Sequence, residues 1–237
     1  MATMKQNTPR SRKVSIRGKS RSTEKASPAQ SNRAGRPASP LITRDAAAEA
    51  ALSIVDEKGL DGLSLQAVAQ KMGVRAPSLY YHFRDKEELL VKVSRLLLKK
   101  ISSERDTWSD DWEARTKELA LATYRVTMRH PNAAPIALRF FPRAVVQPAY
   151  ERTLASCPYK PEHHIVVLEA IERFTFGYTI FAAAAASLHT PATPTPDPET
   201  YPFLAQALKV APGSDEEIFT EALQVILDGL RVRYGKG

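Results

Sequence analysis

Between Ser64 and Lys86 the chain gathers residue types that suit contact with a nucleic-acid duplex. Arg75, Ala76, Pro77 and Ser78 would lead a short helix, and Tyr80, Tyr81 and His82 would follow on it. A short helix with proline in its first turn and exposed Ser, Tyr and His can enter a major groove, where it meets phosphates and base edges together. The guanidinium fork of Arg75 matches the O6 and N7 acceptors of guanine, which makes it the base-reading candidate. A plain three-helix packing unit, with the same polar side chains as surface filler, is the other reading of this stretch. Enzyme chemistry finds less support. His163 and His164 are adjacent, so they point about 100° apart on a helix and cannot chelate one metal as an i,i+4 pair would. Cys157 precedes Pro158 in a loop with no base readable beside it, and there is no phosphate loop or nucleophile elbow. No enzyme, metal site or cofactor is expected.

Elements that would position these side chains are helical throughout. Thr43 can cap a first helix whose apolar face runs Ala47, Ala50, Ala51, Ile54 and Val55, stopped by Gly59. Ser64 caps a second helix carrying Leu65, Val68, Ala69 and Met72, and Gly73 ends it. Ala69 and Gly73, four apart, suit a helix-turn-helix: the small side chain lets two helices cross closely, and the glycine allows a left-handed turn. Leu79 and Phe83 are core positions, and Asp85 with Glu88 reads as a capping box for a fourth helix. Beyond it the spacing predicts a long helix from Ser109 or Asp110 to His130, short helices near 133–141 and 148–156, and a long helix from Pro161 through about Ser187. Pro191 to Pro202 mark an extended loop, and Ser214 with Glu217 caps a last helix. The fold class expected is all-α, with a basic arm at 1–40, a helix-turn-helix domain at 41–86 and a helical effector-binding and dimerisation domain at 87–237.

The chain has 237 residues and a formal net charge of +8, unevenly spread. Residues 1–40 hold ten Lys or Arg against Glu24 alone, whereas residues 101–237 carry a net −3. Only the N-terminal part has an electrostatic reason to seek a polyanion. With seven Ser, four Pro and no aromatic residue, that part is expected to be disordered. Arg33-Ala-Gly-Arg36-Pro37 resembles the Gly-Arg-Pro core of minor-groove AT-hook arms; a solvated, nonspecific tail is the alternative. A single cysteine excludes an intrachain disulfide. The longest stretch free of Asp, Glu, Lys and Arg, Phe174 to Pro196, is too broken by prolines to span a membrane, so a soluble cytoplasmic protein is expected.

From Gly59 to Leu90 the sequence, with Ala69, Gly73, Pro77 and the Leu79-Tyr-Tyr-His-Phe83 run, resembles the tetracycline-repressor family of bacterial regulators. Phe174-Thr-Phe-Gly177 is similar to its tetracycline-repressor branch. The resemblance implies double-stranded DNA as partner. Thr43 and Arg44 would contact the DNA backbone, Ser64 and Gln66 phosphate, and Gln66 could also reach a base. Bases would be read by Arg75, Ala76, Pro77 and Ser78. Tyr80, Tyr81 and His82 would contact phosphate and sugar, and Lys86 would clamp a phosphate.

It also implies a homodimer on a palindromic operator, since one short recognition helix carries little specificity alone. The helix near 161–187, with Ile165, Leu168, Ile171, Gly177 and Ala182 to Ala186, and the last helix, with its stripe from Ile218 to Leu230, would form the interface; both stripes as intrachain core is the alternative. Tyr124, Met128, Phe140, Phe174 and Tyr178 are candidate lining of an effector cavity, with His130, Arg139 and Arg143 as polar anchors, though each also suits ordinary core or surface. The tetracycline repressor holds a magnesium–drug chelate through a His on its sixth helix and an acid from the partner's eighth. The similar stretches here, Pro135-Ile-Ala-Leu138 and Phe174 to Phe181, offer neither, so an apolar or aromatic effector is expected. The function expected is a dimeric repressor released from its operator by a small molecule; the alternative is a DNA-associated regulator without one, controlled by a protein partner or by abundance.

Overall fold

Helix caps set the first half of the molecule. The structure, a computed structural model, describes residues 42–235 apart from Ala192 and Pro194; the basic arm and its Arg33–Pro37 motif lie outside the described residues. Helix α1 (Arg44–Lys58) begins where the Thr43 hydroxyl accepts the Ala46 N–H at 3.0 Å and ends at Gly59, whose φ of +68° favours glycine. In α2 (Leu65–Lys71) the Ser64 hydroxyl caps in the same way, accepting the Ala67 N–H. Gly73, at φ +66°, closes α2: its N–H reaches the Gln70 carbonyl and the Val74 N–H reaches the Ala69 carbonyl, so two otherwise orphaned carbonyls are satisfied at the turn. Helix α3 (Ala76–Tyr80) follows with Pro77 in its first turn, where a missing N–H costs nothing.

Helix α4 (Lys86–Ser102) is capped by Asp85, which accepts the Glu88 N–H at 2.8 Å. The expected box is only half made, because the Glu88 carboxylate accepts the Arg84 N–H and pairs with Arg44 instead of turning back to Asp85. Helix α5 (Trp112–Arg129) starts later than the spacing suggests. Asp111 is its cap, and the Ser109 hydroxyl accepts the Asp111 N–H. Helix α6 (Ala134–Arg139) is short, and α7 (Arg143–Ala155) begins five residues before Pro148, the start that the proline suggests. The proline is tolerated because it and Ala144 are exposed, so water can satisfy the freed carbonyl. Helices α8 (His164–Ser187), α9 (Pro202–Val210) and α10 (Asp215–Tyr234) complete the order, and no strand occurs among the described residues. Helix α9 starts at the last proline of the expected loop and fills a stretch before Ser214 for which no element was expected. Its Pro202 is an N-terminal starter rather than a breaker. Ser214 and Glu217 do form the full capping box of α10.

Two apolar cores hold these helices. The first joins α1, α2, α3 and α4 through Ala47, Val55, Val68, Leu79, Phe83, Leu89 and Val93, and it runs on into α5 and α6 at Val126 and Ile136. Helix α4 is therefore part of the framework that holds the helix-turn-helix, and the core is continuous across 86 and 87. The second core centres on Phe219, Leu223 and Leu227 of α10, packed on α5 and α8. We call α1–α3 the head and α5–α10 the body, with α4 joining them.

Candidate nucleic-acid interface

The head buries its apolar residues and leaves one polar face open. Leu65, Val68, Leu79 and Phe83 are buried, while Gln66, Arg75, Pro77, Tyr80 and Tyr81 on the same short helices are exposed, Tyr81 at 90%. Thr43 and Ser64 are exposed as well, but both hydroxyls already accept helix N–H groups as caps. Ala76, Ser78 and His82 are partly covered. The Tyr81 and His82 rings meet edge to face at 5.8 Å, which fixes their relative setting at the end of α3.

The two basic residues expected to grip DNA backbone from outside α3 are occupied within the chain. The Arg44 guanidinium donates to the His82 carbonyl, pairs with Glu88 at 2.7 Å and lies 4.4 Å over the Phe83 ring. Lys86 Nζ donates to the Leu60 carbonyl at 3.0 Å. A phosphate would have to displace these contacts. Both side chains tie the recognition helix to its neighbours: Arg44 joins α1 to the end of α3, and Lys86 joins α4 to the turn after α1. Glu88 completes the knot. The Arg84 N–H and the Arg44 guanidinium hold its carboxyl far below the usual carboxylate range, at about 2. Spacing assigns Glu88 to a cap; its partner 44 residues away leaves no local signal.

The eight candidate effector residues do not line one cavity. Tyr124, Phe174 and Tyr178 do converge, with Met128 beside them, but around Phe219, whose ring is stacked between Tyr124 at 5.0 Å and Phe174 at 5.5 Å. Both phenols donate to one carboxylate, Tyr124 to Asp215 Oδ2 and Tyr178 to Oδ1, each at 2.8 Å. Burial, and then the Asp215 carboxylate, push both phenols well above the usual tyrosine range. This cluster is filled core. Phe219 belongs to the apolar stripe expected of the last helix, whereas Asp215 carries no expected role, although an acid just inside a capping box is a visible first-turn signal.

His130 lies elsewhere, on the wall of a narrow apolar cleft between α4, α5, α6 and α8. The cleft is lined also by Leu98, Thr127, Ala137, Phe141 and Phe176, and its free interior is only about 20 Å³, room for one water molecule. His130 Nδ1 sits 2.8 Å from Asp56 Oδ2, and Asn132 Nδ2 donates to the Asp56 carbonyl at 3.0 Å, so the cleft wall is bonded directly to α1. Phe140 packs against the first core, Arg139 is exposed and pairs with Glu87 at 3.5 Å, and Arg143 is exposed at the start of α7. A second, more open groove of about 320 Å³ lies between α5 and α10 beside the paired Arg105 and Glu118. Among the described residues no three His, Cys, Asp or Glu are gathered to hold a metal ion, and no helix is long and apolar enough to cross a membrane. His164 Nε2 is bonded to the Tyr159 carbonyl and His163 is stacked on Tyr234. Burial pushes the Cys157 thiol up, away from the nucleophilic thiolate.

The α10 stripe expected at a dimer interface turns inward: Phe219, Leu223, Leu227 and Leu230 are core of their own chain. Ala182 and Ala183 of α8 are buried too. Among the apolar side chains the two helices leave uncovered are Ile165, Val166 and Phe181 on α8 and Val225 and Val232 on α10.

Known proteins share this architecture. Residues 48–93 match the domain described as "Bacterial regulatory proteins, tetR family", and residues 106–234 match "Tetracyclin repressor-like, C-terminal domain". The chain is 30% identical over 198 residues to the tetracycline repressor protein class A from transposon 1721 of Escherichia coli, covering 78% of this chain and 88% of that protein. It is 24% identical over 197 residues to the class D repressor of Escherichia coli, covering 81% and 90%. Among solved structures, a possible TetR family transcriptional regulator from Streptomyces coelicolor A3(2) superposes with a TM-score of 0.64 at 27% identity, covering 80% of this chain and 99% of that one. With the helix-turn-helix, the helical body and the two domain matches in agreement, the chain belongs to the tetR family of bacterial regulatory proteins, and it is a DNA-binding transcriptional regulator and not an enzyme.

Proposed function

We propose that the protein is a cytoplasmic, dimeric repressor that holds a palindromic operator and is released from it by an apolar or aromatic small molecule. The observation that carries this reading is the open face of α2 and α3 on a head in which hydroxyl caps start α1 and α2 and Pro77 starts α3. Arg75, Ala76, Pro77 and Ser78 read base edges, with Arg75 on a guanine; Gln66, Tyr80, Tyr81 and His82 meet phosphate, sugar and the nearest base. Thr43, Arg44, Ser64 and Lys86 serve the same contact from the frame, where Arg44 and Lys86 also hold α3 in place.

Two copies pair through uncovered apolar side chains of α8 and α10, which presents two heads to one duplex. The effector takes the cleft beside His130, which widens to admit it; its lining is almost wholly apolar, and Pro135 to Leu138 of α6 and Phe174 to Phe181 of α8 carry neither the His nor the acid that a magnesium–tetracycline chelate would need there. A ligand that fits only the state with heads splayed draws the population away from the state that spans two major grooves.

Selection of bound duplexes from a random pool tests the first part. Two inverted half-sites about 10 base pairs apart, centre to centre, or a multiple of that, are expected; a monomeric chain that enriches no inverted repeat overturns it. For the second part, a compound that raises the melting temperature and lowers operator affinity is expected from an apolar or aromatic set. Compounds that raise the melting temperature yet leave operator affinity unchanged overturn release.

A further inference from the structure

The two hollows of the body differ in what they can hold. The cleft beside His130 has room for one water, whereas the groove between α5 and α10 has about 320 Å³ of free space, within the range of small-molecule sites, which starts at roughly 300 Å³. Its floor is apolar, made by Leu121 and Ala122 of α5 and by Phe219 and Leu223 of α10. Phe219 and Leu223 belong to the second core, so the groove opens onto the packed centre of the body. Its rim is ionic: Glu104 and Arg105 come from the segment after α4, and Lys117, Glu118 and Arg125 from α5. An apolar floor under a charged rim suits an amphiphile, with rings below and a polar head above.

The sign of that head follows from the bonds already made. The lining residues and their ion partners comprise four cations, Arg105, Lys117, Arg125 and Arg129, and four acids, Glu104, Glu113, Glu118 and Glu216, so net charge selects nothing. Bonding capacity is uneven, however. Both oxygens of Glu216 accept from Arg125, and Glu118 takes Arg105 on one oxygen and the Ser109 N–H on the other at 2.9 Å. Arg125 spends only Nε and one terminal nitrogen on Glu216, and Arg105 forms no hydrogen bond or ion pair beyond Glu118 among the described residues. A guanidinium carries five N–H donors and no acceptor. What the groove leaves unspent is therefore donor, on two planar forks, and the group that matches such a fork is a carboxylate.

We propose that the groove between α5 and α10 is a second small-molecule site, which takes an aromatic monocarboxylate of one or two rings: the carboxylate accepts the unspent N–H groups of Arg105 and Arg125, and the rings cover Leu121, Phe219 and Leu223. This site goes beyond the effector cleft proposed above and does not depend on it, because the two hollows share no lining residue. Arg105 lies three residues past Ser102, the last of α4. A guest held there fastens the end of the helix that joins head and body to α5 and α10. Thr220, exposed on α10, borders the groove and turns its hydroxyl to the Glu216 carbonyl at 2.7 Å, which leaves the space beside it open to a larger side chain.

The test uses the full chain without DNA and three probes of one shape, β-naphthoate, β-naphthylmethanol and β-naphthylmethylammonium, titrated by calorimetry. β-Naphthoate is expected to bind about ten-fold more tightly than the alcohol, and the ammonium to bind most weakly. The Arg105→Gln, Arg125→Gln double variant is expected to bring β-naphthoate down to the affinity of the alcohol. Both arginines are about half exposed, so the fold survives their loss. Thr220→Trp, which fills the groove from an exposed position, is expected to abolish binding of β-naphthoate and of the alcohol alike. Equal affinity for the three probes, or no binding of any of them, overturns the site. So does an undiminished grip on β-naphthoate in either variant, which would put the guest elsewhere, the cleft beside His130 included. No operator is present, so the operator reading stands or falls separately.

Discussion

Head and body are made of the same kind of helix but are held by different means. In the head every turn is fixed within a few residues: Thr43 and Ser64 cap, Gly59 and Gly73 stop, Pro77 starts. In the body the deciding contacts span the chain, as when Asp215 takes two phenols from residues 37 and 91 positions away. Local rules thus set the part that meets DNA, and long-range packing sets the part for which a ligand is proposed. A reading surface must keep its shape alone, whereas a cavity must be able to change.

The hardest blow to this division is a core cut in the head. Phe83→Ala is expected to cost about 3–5 kcal/mol in urea denaturation and to remove operator binding, because Phe83 is 1% exposed and underlies both Arg44 and α3. If operator affinity survived that change, the head would not depend on its own core. In the body, Asp215→Asn leaves one of two phenols facing an amide NH₂ instead of an acceptor. A decrease of about 1–3 kcal/mol in stability is expected, with the operator's base preferences unchanged; altered base preference would mean that the two regions are joined more closely than their separate cores imply.

Within the reading face, Arg75→Ala is expected to relax preference at one base pair by about 1–3 kcal/mol, and Tyr80→Phe to weaken all sequences alike. Identical sequence profiles for the two variants would erase their separate roles. The smallest effect concerns Glu88. Its folded carboxyl titrates at about 2, below the ordinary value of 4.5, so its contribution is complete above pH 4.5 and is lost as pH falls towards 2. Glu88→Gln should flatten acid unfolding across that window and change little at neutral pH; an unaltered acid limb would mean that the Arg44 and Arg84 contacts do not hold in solution.

How much of this is legible in the sequence follows the same division. The head can be read almost residue by residue because caps, glycines and Pro77 act on their nearest neighbours. Spacing alone places Leu79 and Phe83 in the core, and both are buried. Glu88 misleads, since its spacing from Asp85 says box while Arg44 and the Arg84 N–H compete for the carboxylate. In the body, Pro148 reads as a boundary, although an exposed helix can carry a proline when water takes the freed carbonyl. Tyr124, Phe174 and Tyr178 group correctly by type, but Phe219 fills the space between them, and nothing short of the packed structure tells an aromatic pocket from an aromatic core. His130, expected as a ligand anchor, does border the cleft, yet its bond runs to α1.

That bond has a mechanical corollary. Asp56 is gripped twice by one short stretch, through its carboxylate by His130 and through its carbonyl by Asn132, so α1 cannot tilt without dragging the rim of the cleft or snapping both links. In the dimeric, ligand-released repressor proposed above, an angle that an operator imposed on the heads would reach the cleft through these two links. Thermodynamic reciprocity then requires that duplexes differing only in half-site spacing alter the cleft's grip on a guest by the same factor with which that guest alters the grip on DNA.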